Sequence, residues 1–73
     1  MKTDAQLKTD VTHELEWDPS VNATNVGVAV KNGVVTLTGH LETHAEKDAV
    51  ERIVQRVQGV QALAVELDVK LAP

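Results

Sequence analysis

The chain has no cysteine, no phenylalanine and no tyrosine, and only one tryptophan, one serine and two prolines in 73 residues. Without cysteine there is no disulfide framework, no thiolate zinc site and no thiol nucleophile. With Trp17 as the one aromatic residue, the core has to be aliphatic, and valine is its commonest member. No run approaches the roughly 18 apolar residues of a membrane span, and the polar opening at residues 2–6 is not a signal peptide. Basic residues are short as well. Seven of them stand against eleven acidic ones, and the net charge of −4 has the wrong sign for a nonspecific nucleic-acid binder. A chain this short buries only about 60% of the surface its unfolded form exposes. It is one small domain, without room for a core and a deep two-walled active site together.

What is present is strongly patterned. Thr3 to Glu16 reads as an amphipathic helix, opened by a Thr3–Gln6 capping box, with Leu7, Val11 and Leu15 on one stripe. Asp4 and Lys8 are spaced for an ion pair, and Asp10 and Glu14 for repulsion. Asp18 and Pro19 end the helix, and a loop follows through Asn22 to Asn25. Val26 to Gly39 reads as a hairpin around Asn32 and Gly33, the pair that tolerates the positive φ angles of a type I′ turn. A two-residue loop sets Val30 opposite Val35, Val28 opposite Leu37 and Val26 opposite Gly39. Val26, Val28, Val30, Val35 and Leu37 then share one face, while Ala29, Lys31, Thr36 and Thr38 share the other.

Thr43 to Gln58 reads as a second helix, with a Thr43–Glu46 capping box, an Asp48–Arg52 pair and a broad apolar face running from Ala45 to Val57. Gly59 is the expected left-handed C′ residue, with Val60 folding back onto Val54. From Leu63 to Leu71 apolar residues alternate with Ala64, Glu66, Asp68 and Lys70, as in a half-buried strand. The order α-β-β-α-β predicts an α+β fold: a three-stranded sheet with both helices packed on one face. The helical connection sets the second and third strands in the same direction. A mixed sheet is favoured over an all-antiparallel one with the third strand beside the first.

The run from Asn32 through Gly39, the capped helix, and Val57-Gln58-Gly59-Val60 before an alternating strand together resemble the BON domain. Leu15 to Pro19 and the first helix fit the same pattern, so the resemblance covers about residues 4 to 70. It implies the α-β-β-α-β fold and a non-enzymatic accessory role. It also implies phospholipid or membrane-surface association in osmotic-stress or transport-associated bacterial proteins, often in tandem copies. The abrupt ending after a strand-like run suits one repeat of a longer protein, with residues 1–73 as its single BON-like domain. A native start at Met1 implies a cytoplasmic protein, and removal of an export signal a periplasmic one. Two family glycines map onto Gly39 and Gly59. With the turn residue Gly33 they read as structural: Gly39 avoids crowding the start of the second helix, and Gly59 supplies the cap.

Chemical motifs are thin. His40, Glu42 and His44 alternate as His-x-Glu-x-His, with His13 as the only third histidine, but they straddle a strand end, a loop and a helix start, not one helix face. A solvated loop is the expectation, with no metal and no cofactor. Ser20 has no nucleophile elbow around it, Glu66 and Asp68 are surface carboxylates, and no phosphate-binding loop follows a strand. No catalytic residue is expected.

The candidate contact residues for a lipid or protein partner are Trp17, Lys47, Arg52 and Arg56. Trp17 has two readings: a lid over the open end of the core, which is favoured, or a ring at a membrane interface. Acidic residues on both helices oppose binding to anionic lipid. The expected partner is an anionic phospholipid surface or, as the rival, a sister repeat or other protein domain. The isolated domain is expected to be a monomer.

Overall fold

Thr3 opens the first helix, α1 (Asp4–Trp17), with both halves of the capping box: its hydroxyl accepts from Gln6 N–H and Gln6 Oε1 accepts from Thr3 N–H, each at 3.1 Å. The computed structural model describes residues 2–19, 21 and 25–69. Ser20, the expected loop at Asn22 to Thr24, and the expected strand end at Lys70 and Leu71 lie outside the described residues. Asp18 leaves helical geometry at φ −88°, ψ 116°, as a residue before proline should.

Strands β1 (Val26–Lys31) and β2 (Val34–Leu41) form the hairpin in the expected register, Val26 opposite Gly39 through Lys31 opposite Val34. Asn32 and Gly33 have φ of 53° and 79°, which a type I′ turn needs at both central positions. β2 continues past Gly39 to a buried Leu41. Helix α2 (His44–Arg56) follows, and β3 (Ala62–Val69) then lies parallel to β2, with Val35 beside Leu63 and Leu37 beside Val65. The sheet is mixed, in the order β1-β2-β3.

Leu7, Val11 and Leu15 of α1 and Val50, Ile53 and Val54 of α2 join Val35, Leu37 and Leu67 of the sheet in one aliphatic core. Outward residues such as Ala29, Thr38, Ala64 and Glu66 are exposed, so both helices cover the same face. Val21, from the connection after α1, also belongs to the core, although its neighbours read only as loop.

Several local readings are corrected by packing. Asp4 does not pair with Lys8. Its carboxylate accepts from Asn32 N–H at 2.9 Å and Gly33 N–H at 3.2 Å, tying the first turn of α1 to the hairpin turn. Asp10 is not left to repel Glu14, because Lys2 Nζ lies 2.7 Å from Asp10 Oδ2. Asp48 and Arg52 form no ion pair among the described residues. At Thr43 only the hydroxyl half of the expected box is seen, accepting from Glu46 N–H at 3.1 Å. Ala45 is exposed, because about 100° per residue turns it well away from the Val50–Ile53–Val54 stripe.

The end of α2 also differs from expectation. The helix stops at Arg56, Val57 is its extended C-cap, and Gly59 at φ 102° sits in the turn that follows. In that turn Val60 N–H points to Val57 O at 3.5 Å, so Gly59 serves a β-turn with positive φ at its third position and is not the helix's own left-handed cap. Gly39 is required by a different neighbour from the one expected: an added Cβ would meet the Asn25 backbone, not the start of α2.

The Asp4 contact carries a prediction. Replacing Asp4 with alanine should cost about 1–2 kcal/mol, allowing for the solvent around these charge-assisted bonds. Asparagine, with one acceptor oxygen where Asp4 has two, should fall between. Urea unfolding and amide exchange at Asn32 and Gly33 test this, and unchanged exchange at both would dismiss the tie.

Candidate functional site

The helix runs one residue further than its periodicity suggested, and this determines where Trp17 goes. Two residues beyond the buried Leu15, a helical side chain is turned by about 200°. Trp17 is accordingly 75% exposed and does not lid the core. Its Nε1–H donates to His13 Nε2 at 3.2 Å, with ring centroids 5.9 Å apart and planes at 71°. The i,i+4 spacing of His13 and Trp17 was a legible signal for this pair.

Glu14, Trp17, Asp18, Pro19, Ile53 and Arg56 border a depression of about 180 Å³ between the end of α1 and α2. A second depression of about 260 Å³ shares Glu14, Ile53 and Arg56 and continues past His13 to Lys2 and Asp10. Together they make one groove between the helices. Its far end is closed by Lys2, whose Nζ also donates to Gln58 O at 3.0 Å while paired with Asp10. Arg56 and Glu14 line both parts of the groove, yet among the described residues neither makes an ion pair or a side-chain hydrogen bond.

The four candidate contact residues are only partly brought together. Trp17, from α1, and Arg56, from α2, border the same end of the groove. Arg52, exposed, precedes Arg56 by four residues and so lies one turn back on the same flank of α2. Lys47 differs from Arg56 by about 180° around the helix and is half-buried.

The histidines do not converge. His40 sits on β2 beside Asp68 of β3 in the parallel register, with Nδ1 3.7 Å from Asp68 Oδ2, and both are largely exposed. Glu42 follows β2, His44 starts α2, and His13 faces Trp17. Among the described residues no three His, Asp or Glu side chains are placed to hold a metal. A wider depression of about 600 Å³ borders His40, Leu41, Glu42 and Asp68, but its one potential cation already faces a carboxylate. No helix among the described residues is long and apolar enough to cross a membrane.

Sequence reasoning missed Glu14, Asp10, His13 and Lys2 as parts of the groove. They come from α1 and the residues before it, whose charges read as an ordinary solvated face. Comparison with known families matches residues 3–70 to the BON domain. The comparison with curated proteins returns no match.

Proposed function

The chain belongs to the BON domain family of non-catalytic binding domains, generally linked to phospholipid binding and osmotic-stress proteins, and we propose that it is an accessory module that rests on a phospholipid surface through Trp17, Arg52 and Arg56. The observation that carries this reading is Trp17, 75% exposed, standing beside Arg56 at the rim of the interhelical groove. A lone exposed tryptophan next to a cation suits the boundary between headgroups and acyl chains, where the amphipathic indole settles. Lys47, on the other flank, contributes little to this contact.

The attachment is weak by construction. A basic residue near an anionic bilayer contributes about 1 kcal/mol, and the net charge of −4 opposes it. Such a domain suits a protein that carries several copies, where linkage multiplies modest affinities. Trp17→Ala should lower vesicle partition about tenfold, equivalent to about 1.4 kcal/mol, with a smaller loss for Arg52→Gln. Co-sedimentation with vesicles and the Trp17 emission maximum measure this. Emission and amide spectra that ignore vesicles at both low and physiological salt would end the surface reading.

The rival reading, a protein-interaction module without lipid contact, is favoured by the uncovered outer face of the sheet. Ala29, Val34, Thr38 and Ala64 lie exposed there, and β1 and β3 are both edge strands, which can accept a partner strand. Amide changes confined to those residues, on adding a sister domain, would support it.

A further inference from the structure

We propose that the groove between α1 and α2 is a site for a zwitterionic aminoalkyl phosphate, the chemistry of a phosphoethanolamine lipid headgroup, with Arg56 taking the phosphate and Glu14 the ammonium. The inference rests on the surface-attachment reading and gives that surface a headgroup. Its basis is a pair of opposite charges that share a groove without using each other. Arg56 and Glu14 line both depressions, and neither makes an ion pair or side-chain hydrogen bond among the described residues. A guanidinium keeps five donors for phosphate oxygens and a carboxylate keeps about four lone pairs for an ammonium.

Three further features select a zwitterion over a simple ion. Lys2 and Asp10 are already engaged with each other at 2.7 Å, and Asp18, the remaining carboxylate on the lining, is engaged as well, so Arg56 and Glu14 are the groove's unspent charges. A bare anion would meet Glu14, and a bare cation would meet Arg56. Trp17 uses the edge of its indole for the bond to His13, which leaves the ring faces at the rim open to an ammonium group. The chain's charge of −4 repels strongly anionic bilayers but is indifferent to zwitterionic ones. Taken as one groove, the depressions of about 180 and 260 Å³ fall at the low end of the about 300–1,000 Å³ typical of small-molecule sites. They suit a headgroup and leave the acyl chains outside, where Trp17 meets the interface.

The test titrates the full chain with O-phosphoethanolamine, inorganic phosphate and ethanolamine while amide shifts are recorded. Parallel samples receive phosphatidylcholine vesicles doped with either phosphatidylethanolamine or phosphatidylglycerol. Saturable shifts at Glu14, Trp17, Ile53 and Arg56 are expected with phosphoethanolamine, and phosphate or ethanolamine alone should bind about tenfold more weakly, the loss of one charged contact. Glu14→Gln should weaken phosphoethanolamine and strengthen phosphate, whereas Arg56→Gln should weaken both. Both side chains are exposed, so the variants should fold.

Preference for ethanolamine-doped vesicles identifies the ligand as lipid. Binding of soluble phosphoethanolamine with no vesicle binding keeps the site, makes its ligand a free aminoalkyl phosphate and removes the surface reading. Equal or better binding to glycerol-doped vesicles, strengthened by Glu14→Gln, overturns the zwitterion site and leaves surface attachment standing. Phosphate binding as tightly as phosphoethanolamine overturns it as well. No response to any probe overturns both.

Discussion

Replacing Gly39 with alanine is expected to cost about 3 kcal/mol or more. Gly39 has φ 128°, and a Cβ there would sit 1.8 Å from Asn25 O, 2.9 Å from Asn25 C and 3.2 Å from Val26 Cα. All three neighbours are backbone, so no rotamer change can make room. The strained dihedral alone costs of the order of 1–3 kcal/mol. Relieving the overlap requires the start of β1 to pull away from β2, which loosens the Val26–Gly39 pairing. A domain of this length has about 4–11 kcal/mol of stability in all, so the variant should melt at least about 12 °C lower, at about 4–8 °C per kcal/mol.

Gly59 is the control. Its φ of 102° is also unfavourable to alanine, but the nearest atom to an added Cβ, Leu7 Cδ1, is 3.5 Å away. Gly59→Ala should therefore cost only about 1–2 kcal/mol. Thermal unfolding followed by circular dichroism ranks the two, and equal losses would refute the backbone clash at Gly39.

The second large effect is expected at Leu37. It is fully buried on the central strand, opposite Val28 of β1 and beside Val65 of β3, with both helices above. Every neighbouring element is held by its own pairing, so the space left by Leu37→Ala cannot easily collapse. The expected loss is about 2–5 kcal/mol, which approaches the total stability. Val34→Ala lies on the same strand but on the exposed outer face, and should change stability by no more than about 0.5 kcal/mol. In urea the Leu37 variant should shift the midpoint without changing the slope. Similar midpoints for the two variants would mean that the inward and outward faces of β2 are misassigned.

The legibility of these elements in the sequence was uneven, for physical reasons that differ from one to the next. The hairpin register was readable because Asn32 and Gly33 admit a two-residue turn, and once the loop length is set every cross-strand pair follows. Leu7, Val11 and Leu15 were readable because a narrow stripe on a polar helix has only one face to bury. Ala45 was misjudged because the face of α2 read from composition is wider than the one the sheet covers. Trp17 was misjudged because one additional helical residue redirects its side chain away from Leu15.

The candidate site was only half legible. Trp17, Arg52 and Arg56 stand out by residue type, but Glu14 acquires meaning only when α1 is laid against α2. Asp4 is the same kind of case: its spacing to Lys8 suggests a helix-surface pair, whereas the packed fold brings two hairpin amides to its carboxylate.

By itself the sequence determined what local stereochemistry and periodicity control: the two helices, the I′ turn and its register, the alternating third strand, the aliphatic core and the BON resemblance. Only the tertiary structure decided which unlike charges meet, that Gly39 lies against the Asn25 backbone, and that Trp17, Glu14 and Arg56 share a groove. Those contacts join residues distant along the chain, and their energies depend on distances of a few ångströms that no periodic pattern encodes.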